Sequence, residues 1–219
     1  MKSILVIGMG TLGACLAAKM QELGNDVMVI DKNEERIQEL STIFSDAIAG
    51  DCTNPAVLQS IGVNNFDYCF VAIGENFYAS LEITCILKEQ GASCVISKAK
   101  QARQAEFLKK IGADEVFFPE REIAEKLAVR YNATNIFDYI ELTADCSIFD
   151  LPIIPEWKGR SIVEINVRST YNVNIIAIKN GEKIDPMPSG DYRFQEHDQI
   201  VVIGKSEDVF RLSAQTTSV

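Results

Sequence analysis

Histidine is nearly missing from this chain: of 219 residues only one, His197, is a histidine. It stands in the polar stretch QEHDQ and reads as a turn residue, so imidazole chemistry has no second ring to work with. No CxxC pair and no HExxH helix is present, which removes the common zinc frameworks. The six cysteines are scattered, and Cys15, Cys69, Cys85 and Cys94 lie among apolar neighbours. They are expected to be small core residues of a reduced, cytoplasmic protein. Positive charge is also short: 21 Lys and Arg against 31 Asp and Glu leave a formal net charge of −10. That balance disfavours nucleic acid and anionic membrane as partners. The longest apolar runs are strand-length, well below the roughly 20 residues of a membrane span. The first strand pattern begins by residue 3, which leaves no room for an export signal.

What the chain does have is a regular alternation. Hydrophobic residues at 47% and charged residues at 24% are near globular averages, and the length allows one core of ordinary size plus a smaller one. Strand-like runs at 4–7, 27–30, 47–49, 68–73, 94–96 and 116–118 alternate with helical periods at 12–23, 34–41, 55–61, 77–90 and 104–111. Short strands apolar on both faces, each followed by a helix, predict an α/β fold with a Rossmann-like, doubly wound parallel sheet. Gly24, Gly91 and Gly112 are placed to end helices, and Asn33 to cap one. From 120 to 142 the spacing predicts a longer helix carrying Ile123, Leu127, Val129, Ile136 and Phe137. The stretch LPIIPEWKG then reads as a boundary. Beyond it lie a short helix at 161–167, a strand at 174–179, an Asn180-Gly181 hairpin turn, a strand at 199–203 and a helix from Glu207.

The first strand runs into Gly8, Gly10 and Gly13, a GxGxxG motif between strand and helix. The first glycine permits a tight turn, the second lets backbone approach phosphates, and the third lets helix and strand pack closely. Asp31 ends the second strand about 20 residues further on, where a carboxylate accepts ribose hydroxyls and repels a 2′-phosphate. Together they point to an adenine nucleotide with a free 2′-hydroxyl. Open α/β sheets bind ligands at the carboxyl ends of their strands. Thr11 and Leu12 in the glycine turn, Lys32 after the second strand, and Asp51 and Cys52 after the third join the candidate site there. So do Ile73, Gly74, Glu75 and Asn76 after the fourth strand, and Lys98 after the fifth. Lys32 has the character of a solvated surface charge. No acid–base pair stands out, so a small NAD-dependent oxidoreductase is the alternative reading and lacks a catalyst.

The stretches ILVIGMGTLGACLAAKMQELGNDVMVIDKNEERI, AGDCTNPAVLQSIGVNNFDYCFVAIGEN, SKAKQ and LKKIGADEVFFPE resemble the regulatory RCK domain of Ktr- and Trk-type potassium uptake systems. SIVEINVRSTYNVNIIAIKNGE and DQIVVIGKSEDV are similar to the smaller α+β C-terminal RCK domain of the same subunits. The resemblance implies two domains, 1–135 with a crossover helix and 136–219. It implies a non-catalytic, cytoplasmic subunit at the inner face of the membrane that gates a potassium channel or transporter subunit in response to ATP, ADP, NAD or NADH. Dimers and eight-membered rings are implied too, with the helix after the sixth strand crossing to a neighbour, where Ile136 and Phe137 would fit. Gly8, Gly10, Gly13, Asp31, Asp51 and Lys98 fall on the family's nucleotide positions. Glu120 falls where a divalent or sodium cation is held between two nucleotides. Ile162, Arg168, Asn174, Ile175 and Pro188 lie near positions that bind cyclic di-AMP in some relatives. Thr11 departs from the arginine that many Ktr-type chains carry, so this position supplies no charge to a terminal phosphate.

Overall fold

In the computed structural model, Ile4 and Val6 of the first strand turn to one side and Leu5 and Ile7 to the other, all four sealed from water. Such a strand belongs in the middle of a parallel sheet. The structure describes residues 1–132, 136–143 and 145–216, and divides into two units, Met1–Arg121 and Glu122–Val219. The first unit runs β1 (Ser3–Ile7), α1 (Thr11–Glu22), β2 (Asp26–Asp31), α2 (Glu34–Leu40), β3 (Asp46–Ala49), α3 (Pro55–Ile61), β4 (Tyr68–Val71), α4 (Phe77–Glu89), β5 (Val95–Lys98), α5 (Ala102–Lys110) and β6 (Glu115–Phe117). Its six strands lie in the order β3-β2-β1-β4-β5-β6, every pairing parallel. Ala17 of α1 and Ile37 of α2 pack with Val6 and Val29 on one face. Leu58 of α3 and Ile83 and Leu87 of α4 pack with Leu5 and Val71 on the other. Each buried aliphatic contributes roughly 1.5–3 kcal/mol. The sheet order reverses between β1 and β4, which opens a crevice beyond their carboxyl ends.

Helix α6 (Pro119–Asn132) starts in the first unit and carries the chain into the second. There follow β7 (Asp138–Thr143), β8 (Cys146–Pro152), α7 (Ile162–Ile165), α8 (Val167–Tyr171), β9 (Val173–Asn180), β10 (Lys183–Asp185), β11 (Asp198–Lys205) and α9 (Ser206–Ser213). The strands form an antiparallel sheet, β10-β9-β11-β8-β7. Trp157, 1% exposed, packs in its core with Phe149, Phe194, Val202 and Leu212. Among the described residues no helix is long and apolar enough to cross a membrane.

Four expectations need correction. The long helix of 120–142 stops at Asn132, and Asp138–Thr143 is a strand. Tyr139 stacks on Phe149 at 5.9 Å between ring centroids, and this cross-strand packing outweighs a helical spacing. Ile136 is buried in the second core and Phe137 is 41% exposed, its N–H bonded to Asp150 O, so neither lies on α6. LPIIPEWKG is interior to the second unit, ending β8 and burying Trp157. The helix at 161–167 is two helices, broken at Asn166, whose φ is +53°. Cys15 is exposed, whereas Cys69 is buried and Cys85 and Cys94 are partly so.

Candidate functional site

Gly8 leaves β1 with φ of +93°, a conformation that L side chains avoid, and its N–H donates to Ile30 O at 2.8 Å. The next turn brings Gly13 against it: a Cβ on Gly13 would lie 2.0 Å from Gly8 O. Gly10 differs, since a Cβ there would meet nothing within 4 Å. Packing does not require glycine at position 10, so the open space above it suits a ligand that the backbone must approach. Gly10 is also the N-cap of α1 and no side chain caps the helix, whereas Asn33, Asn54 and Asn76 cap α2, α3 and α4. The N–H groups of Thr11, Leu12 and Gly13, with the positive end of the helix dipole, therefore face the crevice without a side-chain acceptor.

Asp31, 8% exposed, closes one side of this mouth. Its Oδ2 accepts Met9 N–H at 2.6 Å and Arg36 Nη1 at 3.1 Å, and its Oδ1 accepts Asn33 N–H at 2.9 Å. The carboxylate is thus a brace between the β1–α1 and β2–α2 turns as well as an acceptor. Arg36 was not anticipated: a single arginine in the first turns of a charged helix carries no sequence signal. Lys32, just beyond Asp31, is exposed. After β3, exposed Asp51 accepts both Thr53 N–H and Thr53 Oγ1, at 3.0 and 2.8 Å, and these bonds hold its carboxyl below the usual range, helped by the charge of Lys32. Cys52 turns into the core beside Leu58; burial pushes its thiol up to about 12, with Asp51 and Asp31 adding to the effect. It is inert packing.

On the far side of the switch point, half-buried Ile73 touches the Gly8 turn, Gly74 and Glu75 form the loop, and Asn76 accepts Ala79 N–H at 3.2 Å. A Cβ on Gly74 would lie 3.2 Å from Lys98 Nζ and 3.5 Å from Lys100 Cε, so the Lys98 amine and the Lys100 side chain both lie against this loop. Lys100 is a second residue the sequence did not flag. Lys98 Nζ donates to Glu120 Oε1 at 2.5 Å, and that bond holds the Glu120 carboxyl below its ordinary range. Among the described residues no three His, Cys, Asp or Glu side chains gather as a metal site. Glu120 offers one carboxylate, already held by a lysine, and the donor set of one chain does not by itself make a cation site.

In the second unit, Ile162 and Val163 N–H groups donate to Tyr192 O and Gly190 O, which ties α7 to the loop carrying Pro188. Arg168 is exposed on α8. Asn174 pairs with Ile203 and Ile175 with Val202, so these neighbours on β9 face opposite sides of the sheet. A separate cleft of about 430 Å³ is lined by residues including Asn180, Lys183, Asp185 and Tyr192, none of them a candidate site residue in the sequence, where Asn180 reads only as a turn residue. His197 is exposed in the turn before β11.

A doubly wound sheet with an uncapped first helix and a carboxylate at the end of the second strand defines a nucleotide-binding Rossmann domain, here joined to a small antiparallel domain. Residues 4–119 match the TrkA-N domain and residues 148–215 the TrkA-C domain. The chain belongs to this family of TrkA-type RCK proteins. It is 35% identical to Ktr system potassium uptake protein C of Bacillus subtilis over 96% of this chain and 95% of that protein. It is 27% identical to Ktr system potassium uptake protein A of Vibrio alginolyticus, with 94% of each covered. Among solved structures, the GsuK RCK domain has the same fold, with a TM-score of 0.69 at 17% identity over 99% of this chain and 48% of that one.

Proposed function

We propose that this chain is a regulatory subunit that binds an adenine nucleotide in the crevice between β1 and β4 and passes its occupancy to a membrane potassium channel or transporter. The observation that carries this is the open α1 terminus over Gly10, next to the buried carboxylate of Asp31. Phosphates rest on the Thr11, Leu12 and Gly13 amides, a ribose hydroxyl reaches Asp31, and Lys98 and Lys100 approach from the Gly74 side. The nucleotide supplies no reaction here; the chain's groups bind and orient it. Membership of a family whose relatives are named for potassium uptake supports the regulatory role, and none of the relatives named above is described as an oxidoreductase.

The partner surface is a second copy. Along α6, Ile123, Leu127 and Tyr131 are 58%, 45% and 77% exposed at intervals of four, an exposed apolar stripe on a helix whose Val129 packs on the second core. A dimer, and a ring of dimers, covers such a stripe at the inner face of the membrane. Occupancy biases the dimer's shape by no more than the nucleotide's difference in affinity between two shapes. When a phosphate draws Lys98 away, Glu120 becomes available to a divalent or sodium cation between nucleotides. Cyclic di-AMP at Ile162, Arg168, Asn174, Ile175 and Pro188 is a further reading, with Arg168 as the phosphate partner.

Calorimetric titration with ATP, ADP, NAD and NADH tests the site. Binding of at least one, lost in Gly10→Val with the thermal midpoint kept, is expected. If none binds, the reading is wrong. Nucleotide-dependent potassium flux in vesicles holding the membrane partner tests the role.

A further inference from the structure

Resting on the adenine-nucleotide reading, the environment of Asp31 says which ribose the site admits. A carboxylate has about four lone-pair positions. Three are filled here: Oδ2 takes Met9 N–H and Arg36 Nη1, and Oδ1 takes Asn33 N–H. Two of these donors are backbone groups fixed by the turns that lead into α1 and α2. Arg36 is the exception, with 44% of its side chain exposed. A ribose with both hydroxyls free brings two donors to a carboxylate with one open position, so one hydroxyl has to displace Arg36 or stay unpaired. A ribose phosphorylated at the 2′ position brings one donor, which the open Oδ1 position accepts. Its phosphate then meets a guanidinium already lying 3.1 Å from Asp31. Arginine takes phosphate through two parallel N–H bonds and offsets the repulsion that Asp31 alone would exert.

We propose that Arg36 opens the adenosine subsite to a 2′-phosphorylated ribose, and that Arg36, not Asp31 alone, decides what stands at the 2′ position. Exposed Glu34 and Glu35 lie in the same first turn of α2 and are only partly offset by Lys32. The site therefore tolerates the phosphate without demanding it. This reverses the exclusion of a 2′-phosphate expected from Asp31 alone.

The test compares ADP with 2′-phospho-ADP, which differ by one group, on the full chain by calorimetry at fixed ionic strength. The 2′-phosphorylated ligand should bind within about tenfold of ADP. In Arg36→Gln it should weaken at least about tenfold, while ADP stays within about threefold or tightens, because a competitor for Asp31 has gone. The thermal midpoint of the variant reports that the fold is kept. ADP binding with 2′-phospho-ADP more than a hundredfold weaker overturns the proposal and leaves the nucleotide reading standing. Equal weakening of both ligands in Arg36→Gln overturns it as well. If neither ligand binds, and ATP, NAD and NADH do not bind either, the nucleotide reading fails and the proposal falls with it.

Discussion

Lys98 and Glu120 meet at 2.5 Å at the edge of the parallel sheet, the lysine side chain 10% exposed and the glutamate 60%. The lysine is the constrained partner and the carboxylate the one that water reaches. Glu120→Gln should change stability by about 1 kcal/mol or less, since the carboxylate is well exposed and its side of the pair is screened by water. It should tighten nucleotide binding in metal-free buffer by roughly three- to tenfold, as Lys98 is released toward phosphate. Because the carboxyl is held low by Lys98, the pair persists across neutral pH. It is lost only as pH falls below the ordinary glutamate value of about 4.3 and through the lowered one. Calorimetry on both forms, from neutral pH down to well below the ordinary glutamate value, reads this out.

Gly13 and Gly10 separate folding from binding. Gly13→Ala places a Cβ 2.0 Å from a backbone oxygen, and a loss of about 3 kcal/mol or more is expected by urea denaturation. Gly10→Ala meets nothing within 4 Å; it should cost about 1 kcal/mol or less as an N-cap change, yet weaken nucleotide binding. Equal effects on stability would remove the assignment of different roles to the two glycines.

In the second unit, Asp198 is 2% exposed and accepts Asn180 Nδ2 at 2.7 Å, Tyr192 OH at 2.9 Å and Gln195 N–H at 2.7 Å. Burial and then the bond to Asp198 push the Tyr192 hydroxyl up to about 12. The folded state favours the protonated phenol, so this contribution is whole below the ordinary value of about 10 and disappears as pH rises through about 12. Tyr192→Phe should lower stability at neutral pH by about 1 kcal/mol and flatten the loss between those limits. Thermal melts at stepped alkaline pH give the comparison.

The α6 stripe predicts assembly. Leu127→Asp sets a charge among Ile123 and Tyr131, and light scattering should show dissociation to smaller species with unchanged circular dichroism. An unaltered mass at micromolar concentration would assign the dimer contact elsewhere.

Much of the nucleotide unit was legible because its signals are local. Strand periods, the three glycines, Asn33 as a cap and Asp31 at the end of β2 each depend on a few neighbouring residues and recur in the structure where expected. What escaped depended on how side chains are aimed once the chain has folded. Lys100 has significance only because the end of β5 brings it to Gly74, and Arg36, although close to Asp31 in the chain, only because the turn into α2 aims it at that carboxylate. Tyr139 becomes a strand residue because Phe149, across the sheet, receives its ring.

The amino-acid order by itself determined the Rossmann sheet and its phosphate turn, since backbone sterics at Gly8 and apolar burial on both strand faces admit few other folds. Tertiary structure alone decided the pairings across the chain: Met9 N–H reaches Asp31, and Lys98 rests on Glu120. Hydrogen bonds and ion pairs fall off within a few ångströms, and only folding sets distances that small between residues far apart in the chain.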